Sequence, residues 1–105
     1  MKTKACIIVT TCKKKKEAKR LSKILLDEKL CACVQISRVK SLYNWQGELC
    51  KSREYILQIK TKAKLFSKVE ECIKKHHSYD VPEVISLPIK NISSEYLDWI
   101  KHNTL

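Results

Sequence analysis

Glycine is nearly missing from this chain: Gly47 stands alone among 105 residues, beside two prolines and one phenylalanine. No stretch is rich in Gly, Pro or Ser, no segment repeats, and no shift in composition marks a linker. The sequence therefore offers no domain boundary and reads as a single unit over residues 1–105. Long apolar runs are missing as well. The run Ala5-Cys6-Ile7-Ile8-Val9 stops at Thr10-Thr11, far short of the roughly 20 residues of a membrane span and shorter than a signal-peptide core. The expectation is a cytoplasmic protein with no membrane partner. Acidic residues are half as many as basic ones, 11 Asp+Glu against 22 Lys+Arg, for a formal charge of +11.

Cysteine, in contrast, is plentiful at six residues. A disulfide framework goes with secretion, and no secretory segment is seen, so reduced thiols are expected. Cys6, Cys33 and Cys72 lie in apolar, regularly patterned stretches where free cysteine behaves as a small hydrophobe. Cys31 and Cys33, two apart on an expected strand, share a face like a metal clip. No second pair stands at zinc-site spacing.

The apolar periods give the elements. Residues 5–11 read as a buried strand. Ala18, Leu21 and Leu25, widened by Ile24, make a helical stripe over 15–29. Residues 31–36 are strand, and Val39 falls out of step with Val34 and Ile36, which suggests a bulge near Ser37-Arg38. The strand continues to Trp45, turns at Gln46-Gly47 where glycine allows positive φ, and returns over 48–60 as the second arm of a long hairpin. A second helix spans about 63–76, with Leu65, Val69, Cys72 and Ile73 inward. Pro82 marks a loop, and residues 84–89 form a strand that ends at Pro88 or lies at an edge. Ser93 or Ser94 caps a last short helix. The fold class is α+β, ferredoxin-like, in the order β-α-β-β-α-β with an added C-terminal helix and both main helices on one sheet face. The third strand is apolar on both faces (Tyr55, Leu57 and Ile59 against Ile56), so the second face calls for a cover: the last helix or neighbouring subunits.

The charge is lopsided. Residues 1–40 hold twelve Lys/Arg against three Asp/Glu, and Lys13-Lys14-Lys15-Lys16 is the densest run. No aromatic side chain interleaves it to stack on bases, and a helix N-terminus disfavours lysine. The run reads as a solvated helix face rather than an anion-binding surface.

Three clusters are specific in their order and spacing. The first is Cys31-Ala32-Cys33-Val34 after Leu26-Asp27-Glu28-Lys29-Leu30. The second is Ser41-Leu42-Tyr43-Asn44-Trp45-Gln46-Gly47-Glu48. The third is His76-His77-Ser78-Tyr79-Asp80-Val81-Pro82-Glu83, closed by Glu95-Tyr96-Leu97-Asp98-Trp99-Ile100. Together, over nearly the whole chain, they resemble the CutA family of divalent-cation tolerance proteins. The resemblance implies a homotrimer with long hairpins crossing between subunits, similar in architecture to the PII signalling proteins. It also implies an association with copper or another divalent metal ion, and no catalytic reaction.

His76 and His77 match the family's paired histidines. Family members described as copper-binding end their first strand on a cysteine; Thr10 takes that position here, and Cys12 follows two residues later on the same face. The implied metal residues are therefore His76, His77 and Cys12. Adjacent helical residues point about 100° apart, so the two imidazoles meet one ion only if the helix frays or two subunits each give one. The alternatives are a helix-capping His76 and a packed His77. The resemblance further places Tyr43, Trp45, Tyr79 and Glu83 around a cleft between subunits. Such a cleft reads either as a small-ligand pocket or as a permanent interface with aromatic anchors.

Two other functions compete. An RNA-binding module of the RRM type shares the element order but needs exposed aromatics on its first and third strands. The first strand has none and the third only Tyr55, so nucleic acid is not the expected partner. An enzyme using His76, His77 and Glu83 lacks a nucleophile in any recognisable motif. The cysteine reading has a direct check: adding a reducing agent leaves the melting temperature unchanged, whereas a fall of several degrees would reveal a disulfide.

Overall fold

The computed structural model describes residues 4–105. Strand β1 (Ala5–Cys12) alternates with a period of two, turning Cys6, Ile8, Thr10 and Cys12 to one face and Ala5, Ile7, Val9 and Thr11 to the other. It is followed by α1 (Lys15–Asp27), β2 (Cys33–Trp45), β3 (Glu48–Lys62), a 3-10 turn at Ala63–Leu65, α2 (Phe66–His76), β4 (Ile85–Pro88) and α3 (Ser94–His102). The sheet order is β2-β3-β1-β4, with every neighbouring pair antiparallel. This is the ferredoxin-like arrangement with a long hairpin and an added helix. Strand β4 lies at an edge, where Pro88 forfeits no interior ladder bond.

One core fills the space between the helices and the sheet. Cys6, Ile8, Cys12, Leu57 and Ile59 meet Ala18, Leu21 and Leu25 of α1 and Val69, Cys72 and Ile73 of α2. Each fully buried Ile or Leu among them contributes about 1.5–3 kcal/mol relative to exposure. The other sheet face is covered in part by α3. Ser93 caps that helix by accepting the Tyr96 amide proton at 3.2 Å. The Lys60 ammonium stands 5.6 Å from the Tyr96 ring centroid, and Ile100 is fully buried outside the first core. Ile85 and Leu87, on the uncovered part of this face, remain 47% and 50% exposed.

Three local expectations are corrected. The β2–β3 ladder runs in one unbroken register from Cys33↔Lys60 to Trp45↔Glu48, with no bulge at Ser37-Arg38. Val39 is out of phase because the ribbon has by then left the helix layer, so neither face is required to be the apolar one. The first helix ends at Asp27 rather than at 29. Its stop is a Schellman motif, with the Lys29 amide donating to Leu26 and the Leu30 amide to Leu25, and Lys29 takes the left-handed conformation at φ 57. Finally, Cys31 precedes the strand and is buried in the helix-side core, while Cys33 pairs with Lys60 on the opposite face. The two do not form a clip. The lysines 13–16 are exposed, as expected of a solvated face.

The hairpin closes on a two-residue turn with Gln46 at φ 52 and Gly47 at φ 79, the doubly left-handed geometry that matches strand twist. Within the helix-side core, the Thr10 hydroxyl oxygen is buried with no hydrogen-bond partner. Thr10→Val removes that unmet group and is expected to raise stability by about 1 kcal/mol, read as a higher melting temperature.

Candidate functional site

The hairpin is longer than the strand beside it. Strand β1 pairs with β3 only as far as Cys12↔Tyr55, and β4 reaches along β1 only from Cys6 to Val9. Two consequences meet at one place: β2 and β3 project as a two-stranded ribbon beyond Tyr55, and the outer edge of β1 is unpaired at Thr11. The Ala5 carbonyl on that edge accepts the Ile89 amide proton. The Thr11 carbonyl, six residues on and directed the same way, needs another donor.

His77 supplies it. Helix α2 ends at His76, and His77 turns extended at φ −90, ψ 145, so its imidazole leaves the helical path that His76 keeps. His77 Nε2–H donates to the Thr11 carbonyl at 2.7 Å, and its Nδ1 accepts the Tyr79 amide proton at 3.0 Å. This network selects the neutral Nε2–H tautomer. The Ser78 amide donates to the Glu17 carboxylate at 2.8 Å, and the Tyr79 hydroxyl donates to Glu54 Oε2 at 2.7 Å. The loop after α2 is thereby drawn round the free edge of β1, from the helix side to the far face of the sheet.

There it closes a cleft of about 830 Å³ at the root of the ribbon. Tyr43, Trp45, Tyr79 and Glu83, the four residues expected to share a pocket, all line it. By register, Thr11, Tyr43, Trp45 and Glu54 share the face away from the helices. The Tyr43 hydroxyl lies 2.8 Å from Ser52 Oγ, which steadies the ring across the ribbon. Glu54 is only 7% exposed. Burial, the hydrogen bond to Glu54 and its charge push the Tyr79 phenol above its usual range, and burial together with Glu54 raises the Glu83 carboxyl. Glu54 and Glu17 are the functional residues that sequence reasoning missed. Glu17 carried a signal, as the one acid inside the lysine run and in phase with Leu21 and Leu25; Glu54 carried none beyond its place in a strand.

The implied metal residues converge only in part. Cys12 Sγ lies 3.9 Å from His77 Nε2, while no group of three His, Cys, Asp or Glu side chains suited to an ion occurs among the described residues. The chemistry of the pair is also wrong for a ligand set. One His77 nitrogen carries its proton and the other has committed its lone pair to Tyr79. Burial, then Glu17 and Glu54, push the Cys12 thiol up to about 12, so a metal ion has to displace a firmly held proton to bind there. His76, half-buried on the helix end, makes no side-chain hydrogen bond among the described residues. Within one chain, His76, His77 and Cys12 do not fit a metal ion. The RNA-binding alternative lacks its platform: β1 presents no aromatic side chain, and Tyr55 packs against the helix-side core.

This ferredoxin-like sheet with its projecting hairpin matches solved structures of CutA proteins. A structure described as the periplasmic divalent cation tolerance protein CutA from Archaeoglobus fulgidus superposes with a TM-score of 0.93 at 35% identity, over 94% of this chain and 97% of that one. The divalent-cation tolerance protein CutA of Thermus thermophilus is 39% identical over 93% of this chain and 96% of its own length. Protein CutA 1, chloroplastic, of Oryza sativa subsp. japonica is 41% identical over 93% of this chain, which spans 56% of that longer protein. The family model described as CutA1 divalent ion tolerance protein matches residues 6–103, and the chain belongs to that family.

The buried thiols give a chemical check. Burial holds Cys12 and Cys31 at about 12, while Cys33 and Cys50 are half-exposed. At about pH 8, iodoacetamide is expected to modify Cys33 and Cys50 well before Cys12 and Cys31 in the native protein. Early labelling of Cys12 would mean that its thiol is neither buried nor neutral.

Proposed function

We propose that the chain works as a single unit in a homotrimer: a non-catalytic binding protein of divalent-cation tolerance type that takes a small ligand in the cleft at the hairpin root. The observation that carries this reading is the convergence of Tyr43, Trp45, Tyr79 and Glu83 on one concavity. The hairpin gives it a signalling or scaffold character, because its strands project beyond the sheet and are free to contact other chains. The trimer is supported by the half-exposed Ile85 and Leu87 on the sheet face that α3 leaves open. None of the six cysteines is in a disulfide, which suits the reducing cytoplasm, although relatives are named for the chloroplast and the periplasm. No helix among the described residues is long and apolar enough to cross a membrane. The names of relatives support a response to divalent cations, among which copper is the ion the family resemblance implies.

Two measurements test the proposal together. Light scattering on the purified protein is expected to give three chains per particle at micromolar concentration, and a stable monomer would refute the assembly. Copper titration of the same sample is expected to show no dependence on Cys12, so Cys12→Ser binds as the parent does. Any copper binding that remains is expected to weaken in His76→Ala, whose imidazole is the one left free; a site abolished by Cys12→Ser would restore the three-residue ligand set.

A further inference from the structure

We propose that the cleft at the hairpin root selects organic ammonium ions, held by its carboxylates and by the faces of its aromatic rings. The proposal rests on the small-ligand reading above and names the class of ligand.

The charge of the cleft runs against that of the molecule. In a chain of formal charge +11, the cleft is lined by Glu54, Asp80 and Glu83 with Lys40 as its one cation. Glu54 is the decisive group. It is only 7% exposed, and its one hydrogen-bond partner among the described residues is the neutral Tyr79 hydroxyl. No ion pair to Glu54 is found among the described residues, where the one salt bridge joins Lys74 and Glu70 on α2. A buried carboxylate without a cation is costly, and the cost is relieved by a positive charge brought in from outside. The raised Glu83 carboxyl reports the same crowding of negative charge, since Glu54 is one of its two causes.

The walls decide what kind of cation fits. Tyr43, Trp45 and Tyr79 line the cleft with aromatic rings, which attract a diffuse organic cation, and no group of three His, Cys, Asp or Glu suited to a metal ion occurs among the described residues. A volume of about 830 Å³ is far larger than one ion and has room for a carbon body. Phosphate-bearing ligands are disfavoured by the same three carboxylates.

The test uses the native assembly carrying Trp99→Phe, so that Trp45 is the only indole and reports on the cleft by its fluorescence. Three probes share a carbon chain and differ in charge: butylammonium, butanol and butyrate, with tetramethylammonium as a second cation. The expected result is saturable binding of both cations at up to about 10 mM. Neither butanol nor butyrate should match it, and added salt should weaken it. Glu83→Gln should weaken the cations about fivefold, and Glu54→Gln more, because Glu54 is buried. Gln at position 54 still accepts the Tyr79 proton, so the loop stays in place, and Trp45→Leu, followed by calorimetry, tests the ring face without touching the core. Butanol or butyrate binding as well as the cations would overturn the charge selection and leave a small-ligand cleft standing. Cation binding that is indifferent to both glutamate variants would overturn it in the same way. No binding of any probe would overturn the cleft reading as well.

Discussion

Strand β3 is paired to β2 from Glu48 to Lys60 but to β1 only from Tyr55 onward. That inequality of length organises the rest of the molecule. Where three strands lie side by side, helices cover one face and the alternation is strict; where two remain, there is no layer to pack against, and Leu42, Tyr43, Trp45 and Leu49 stand exposed among polar residues. The end of β1 is left with an unpaired edge at the same level. The loop after α2 is drawn to that edge because the Thr11 carbonyl lacks a strand partner and the His77 ring has a proton to give. The cleft is the space enclosed when a loop is tied down next to a projecting ribbon.

Its electrostatics follow from what the loop brings and what it covers. Glu17 and Glu54 are almost fully buried in a strongly basic protein, and each is met by a neutral donor, the Ser78 amide and the Tyr79 hydroxyl. Hydrogen bonds of this kind satisfy lone pairs and leave net charge in place. Burial, reinforced by the same two carboxylates, holds the Cys12 thiol in its neutral form. Burial first, and the Glu54 charge after it, likewise raise the Tyr79 phenol and the Glu83 carboxyl.

Much of the fold was legible in the sequence, because strands and helices that face a core must repeat at 2 and 3.6 residues, and β1, α1, β3 and α2 do. The bulge expected at Ser37-Arg38 was wrong for the complementary reason: past Ile36 no core demands a phase, so Val39 carried no information about register. The end of α1 was hidden because Lys29 takes a left-handed conformation usually signalled by glycine. Of the site, the aromatic and acidic residues were legible through their motif, and the structure sets all four around one cleft. The partners of His77 were not, since one is a backbone carbonyl and the other a backbone amide, and neither has a side-chain signature. Glu54 was illegible because an acid in a polar-facing strand position looks the same whether water or a loop lies over it.

The bond between Tyr79 and Glu54 sits where the three-stranded sheet gives way to the ribbon. A two-stranded ribbon bends readily while a sheet braced by helices does not. In mechanical terms the hairpin is a lever arm, the braced sheet is its mount, and Glu54 stands beside the fulcrum. Leu49 stands exposed near the tip, so a partner that grips the far end of the arm has leverage on the cleft, which runs along it from Glu54 to Trp45.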